Sequence, residues 1–96
     1  MTELTLISHH DGALQPLIEG AISEALRSTQ SGIDRGEARI KAFEQQYGMT
    51  SAEFLQRYEN NELQETLELD EWIGEIRMLQ RLQEKATRLR GVEFVH

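Results

Sequence analysis

Residues 41–63, KAFEQQYGMTSAEFLQRYENNEL, constrain the fold most, because they close one helix and open the next within three residues. Gly48 stands where a helix end calls for left-handed backbone, which glycine adopts without a Cβ penalty. Thr50-Ser51-Ala52-Glu53 fits a capping box. In such a box Thr50 accepts from the Glu53 amide and the Glu53 carboxylate reaches back to the Thr50 amide. Phe54, Leu55 and Tyr58 then share one face of a short helix, and Asn60-Asn61 marks a turn. Whatever the chain builds must contain a helical corner here.

Upstream of the corner, Leu14, Leu17, Ile18, Ala21, Ile22, Ala25 and Leu26 recur at helical spacing. Pro16 is tolerated only in a first turn, so this helix should begin near Ala13. Farther on, Leu26, Ile33, Ile40 and Tyr47 step by sevens, with Ile22, Thr29, Gly36 and Phe43 interleaved. That is a heptad seam of the coiled-coil kind. An unbroken helix over 13–47 would be about 50 Å long, whereas a compact domain of this size has a radius of gyration of about 12–13 Å. The helix therefore either breaks near Ser31-Gly32 or protrudes and finds a partner. Glycines on the seam let two backbones approach, which favours a long helix, kinked or straight, packed in a homodimer.

Downstream, a third helix is expected from about Glu65 to Leu89. Its apolar face is Leu69, Trp72, Ile73, Ile76, Leu79, Leu82, Ala86 and Leu89, and Gly91 ends it. Two short β-prone runs, 3–8 and 92–95, flank the helices and read as terminal strands. An isolated strand pair is marginal in water, so they are expected to pair with each other or across a dimer. The predicted architecture is mostly α: a long N-terminal helix, a short middle helix and a long C-terminal amphipathic helix, with short strands at both termini. All 96 residues form one helical interaction domain.

Composition narrows the chemistry. Without cysteine there is no disulfide scaffold, thiolate metal site or cysteine nucleophile. No apolar run approaches the roughly 18 residues of a membrane span, and the N-terminus has no basic region followed by an apolar core, so a cytoplasmic location is expected. The net charge of -7 argues against direct nucleic-acid binding, which needs clustered Lys and Arg. From 59 to 75 every charged residue is acidic; from 77 to 90 all are basic except Glu84. Such an order matches a helix dipole, and a solvated helix explains it. It also suits an acidic surface that meets a basic partner.

Candidate catalytic constellations are weak. His9-His10-Asp11 is a strand-to-helix turn whose adjacent side chains diverge, and His96 is distant in sequence. Residues 32–36 lack the Gly-Lys-Ser/Thr ending of a phosphate loop, and no G-x-S-x-G occurs. Glu68, Glu71 and Glu75 share a helix face, but no Glu-x-x-His accompanies them as in metal-binding bundles. No metal, cofactor or catalytic residue is predicted. Arg77, Arg81, Lys85 and Arg88 form a basic ridge, too short on an acidic protein to indicate phosphate binding. Trp72 and Phe54 read first as core residues; an exposed Trp72 among acids would instead anchor an interface.

The pattern Phe43-Glu44-x-x-Tyr47-Gly48-Met49-Thr50-Ser51-x-Glu53-Phe54, followed by Glu62-Leu63 and a Trp72-containing amphipathic helix, resembles a family of small prokaryotic antitoxins. The resemblance covers most of the chain. It implies half of a type II toxin–antitoxin pair, a non-catalytic protein that binds and neutralises a toxin. Such toxins are often enzymes with basic clefts. From charge, the partner-binding residues are expected to be Glu62, Glu65, Glu68, Glu71, Trp72 and Glu75. Antitoxins commonly carry a DNA-binding module, yet no helix-turn-helix is legible here, so nucleic acid is expected only through a partner. The other reading is a structural or assembly subunit, a homo-oligomeric helical scaffold.

Overall fold

The computed structural model describes residues 14–92 and is all-α over them: α1 (Leu14–Tyr47), α2 (Ser51–Glu59) and α3 (Leu67–Arg90). No strand occurs among the described residues. The strands expected at 3–8 and 92–95 lie, apart from Val92, outside them.

The first helix runs unbroken through Gly20, Gly32 and Gly36, so of the two courses left open, a break near Ser31-Gly32 or a continuous helix, the chain takes the second. The reason is packing inside the same chain. A Cβ on Gly32 would sit 3.1 Å from Leu82 Cδ1, and one on Gly36 would sit 4.0 Å from Leu79 Cδ1. Gly32 thus forms a socket for a leucine of α3, Gly36 lies in ordinary contact with another, and that packing offsets the roughly 1 kcal/mol each costs in helix propensity. Buried Thr29 satisfies its hydroxyl by donating to the Ala25 carbonyl at 2.7 Å.

α1 and α3 form an antiparallel hairpin. Gly32 faces Leu82, Arg39 faces Glu75 and Gln46 faces Glu68, which fixes a single register along the pair. The heptad seam expected to receive a second copy is therefore occupied by α3: Thr29, Ile33, Gly36 and Ile40 are its buried positions. Because α1 is longer than α3, the same register brings Arg90 level with Glu24, and residues 14–23 extend past the end of α3. The described residues form a rod, 61 × 22 × 18 Å, with a radius of gyration of 19.2 Å.

The corner closes one end of the rod. Gly48 takes φ +65°, and the Met49 amide bonds back to the Glu44 carbonyl at 3.2 Å. Thr50 caps α2, its hydroxyl accepting from the Glu53 amide at 3.1 Å. The other half of the expected box is replaced. Glu53 turns outward to Arg57 at 2.9 Å, and Glu44, from the last turns of α1, accepts from the Ser51 amide at 2.6 Å. Asn61 ends α2 with φ 57°; its amide and that of Glu62 bond to the Tyr58 and Arg57 carbonyls, a Schellman closure built on asparagine. Thr66 caps α3, which starts at Leu67 close to the expected position, its hydroxyl accepting from the Leu69 amide at 3.2 Å.

Candidate interaction surface

The core fixes what is left for a surface. Trp72 is 0% exposed and stacks on Phe54 with ring centroids 3.9 Å apart and planes 7° apart. Phe43 and Tyr47 stack on the same indole at 5.6 Å. Its Nε1–H donates to the Ser51 hydroxyl at 3.1 Å, so the one polar atom of the indole is satisfied inside the protein. Trp72 thus holds α1, α2 and α3 together. Expected among the partner-binding residues, Trp72 lies wholly inside the protein in this conformation.

The five glutamates divide by their register on the hairpin. Glu68 and Glu75 lie on the α1–α3 seam and are half-buried. Glu68 accepts from Gln46 Nε2 at 2.6 Å. As a hydrogen-bond acceptor, then with burial and its negative charge, it pushes the Tyr47 phenol above its ordinary value of 10.0. Glu75 Oε1 accepts from Arg39 Nε at 2.8 Å, while Oε2 is buried without a protein partner. These two carboxylates are tied to the fold. Glu62, Glu65 and Glu71 are exposed, together with Glu59 and Asp70. The free acidic surface therefore covers the α2–α3 loop and the start of α3, not one continuous helix face.

An apolar residue stands among these acids that the sequence reading missed. Leu67, the first residue of α3, is 76% exposed. It lies out of phase with the Leu69, Trp72, Ile73, Ile76 set, and that phase difference is the signal that could have singled it out.

Elsewhere, Gln80, Gln83, Glu84, Thr87 and Arg88 line an open trough. All five belong to α3, so no second element walls it as a substrate cleft requires. Among the described residues no group of three His, Asp or Glu is placed to hold a metal ion, and no helix is long and apolar enough to cross a membrane. The His9-His10-Asp11 run and His96 lie outside the described residues.

The fold and surface define an elongated helical hairpin with a capped corner and an acidic end. No protein-family model, curated protein or solved structure matches the chain.

Proposed function

We propose that this chain is a non-catalytic interaction module of the antitoxin type, which binds a basic partner protein through its acidic end. The observation that carries the reading is the exposed set Glu62, Glu65, Asp70 and Glu71 that flanks exposed Leu67 in sequence. An apolar anchor flanked by charge of one sign suits a partner surface with an apolar pocket and a basic rim. Glu68 and Glu75 contribute from behind, by holding α3 in register with α1. The chain forms a homodimer, needs no cofactor and meets nucleic acid only through its partner. For a first-helix dimer, α1 retains only the stripe N-terminal to Thr29, since α3 covers the rest.

The test is co-expression with the reading frame encoded beside this one. Arrest of growth by the neighbour alone, relieved when this chain is present, supports the antitoxin reading; a harmless neighbour removes it. The 61 Å rod with its projecting α1 favours a second reading, a subunit whose helices complete a larger assembly. Stable recovery with several components of one complex, in place of a single neighbour-encoded partner, selects that reading.

A further inference from the structure

The outer face of α3, turned away from α1, carries a second pattern. Leu67, Glu71, Gly74, Met78, Arg81, Lys85 and Arg88 alternate by four and three residues, a heptad line, and all seven are exposed. Leu67 and Met78 are 76% and 47% exposed, and a Cβ on Gly74 would meet nothing within 4 Å. The line is acidic at one end and basic at the other. We propose that this face is an interface for a second copy of the chain, with the two α3 helices antiparallel. The proposal rests on the dimer part of the reading above and not on its antitoxin part.

Self-complementarity is what selects a second copy as the occupant. In an antiparallel heptad pairing, each position after a step of four faces one after a step of three. With the two-fold axis level with Ile76, this condition is met at every layer. Met78 lies over Gly74 of the second copy, and Gly74 over its Met78, so each glycine is a socket for a thioether. The next layer outward on each side sets Glu71 against Arg81, and the next sets Leu67 against Lys85, whose aliphatic stem can cover it. At these layers opposite charges meet twice by symmetry and like charges nowhere, while beside them Arg77 nears Arg77 and Asp70 nears Glu84 of the second copy, which weakens the pairing. A parallel pairing would instead set Glu71 on Glu71 and Arg81 on Arg81. The overlap of residues 67–85 spans about 28 Å of helix. With few apolar layers and exposed ion pairs, the association is weak and sensitive to salt. Leu67 and Glu71 also belong to the acidic end, so a second copy and a basic partner compete for them.

The experiment is sedimentation equilibrium of the full chain across a concentration series, at low and high salt, with two sets of variants. Glu71→Arg sets arginine against Arg81 and is expected to weaken dimerisation about tenfold or more, a difference of about 1.4 kcal/mol. The double variant Glu71→Arg/Arg81→Glu restores opposite charges in this register and should recover the wild-type constant to within about threefold. Gly74→Gln fills the socket: it should raise the urea midpoint of the monomer through helix propensity while weakening the dimer, two changes that loss of folding cannot produce together. A monomer at every concentration, a dimer indifferent to Glu71→Arg and Gly74→Gln, or a double variant no tighter than the single one each overturns the proposal.

Discussion

Trp72 and Ser51 are joined across the corner: the indole Nε1–H of α3 donates to the hydroxyl of the first residue of α2 at 3.1 Å. The bond seats the indole against Phe54, Phe43 and Tyr47, and it explains why a serine follows the capping threonine. Ser51→Ala leaves a buried N–H without its acceptor and is expected to cost about 1–2 kcal/mol. Urea unfolding followed by Trp72 fluorescence measures this directly, and an unchanged midpoint would mean that water replaces the hydroxyl.

The two glutamates near the α2 cap should behave differently. Glu44 accepts from the Ser51 amide at 2.6 Å, a charge-assisted bond in a half-buried position, and Glu44→Ala should cost about 1.5 kcal/mol or more. Glu53 makes only a surface pair with Arg57, so Glu53→Ala should stay within about 0.5 kcal/mol of wild type. Thr50→Ala should lose about 1 kcal/mol with the cap. Equal effects at Glu44 and Glu53 would restore the reciprocal capping box.

Glycines on the two faces of the hairpin give a second contrast. Gly74→Ala meets open space in the middle of α3 and should stabilise the chain by up to about 1 kcal/mol. Gly32→Ala brings the same propensity gain but places its Cβ 3.1 Å from Leu82 Cδ1, so its effect should fall short of that at Gly74. Thermal melts of the two variants decide this; matching gains would show that Leu82 moves aside freely.

Much of this was legible in the sequence, and the failures are physical. Gly48 and Thr50 announce their roles because caps depend on local backbone alone. The apolar periods of α1 and α3 are equally plain. Whether the α1 seam meets a second chain or its own α3 is a tertiary choice, invisible in a heptad. Gly32 left the course of α1 open because Leu82, which packs on it, belongs to another helix. The acidic run hid a division into seam residues, Glu68 and Glu75, and exposed ones, Glu62, Glu65 and Glu71, since charge pattern reports neither where the loop gives way to α3 nor rotation about that helix. Trp72 was ambiguous for the same reason: its hydrogen-bond partner sits on another helix.

A raised Tyr47 phenol predicts some loss of stability at alkaline pH. Glu68 beside it raises the phenol above 10.0, so the folded chain holds this proton more tightly than the unfolded chain does. The resulting stabilisation is complete below the unfolded value and is lost as pH rises through the folded one. Tyr47→Phe lacks this titration. The urea midpoint of the wild type should therefore fall relative to that of the variant above about pH 10, whereas parallel curves would show that Glu68 does not act on the phenol.

The most direct test of the central claim compares the wild type with the double variant Glu62→Arg/Glu65→Arg in tagged pull-downs from the native host. Both residues are exposed and lie outside α3, so the variant should fold as the wild type does. The acidic-end account predicts one stoichiometric basic partner with the wild type, the product of the adjacent reading frame, and its loss with the variant. Recovery of that partner at equal yield by both proteins would contradict it.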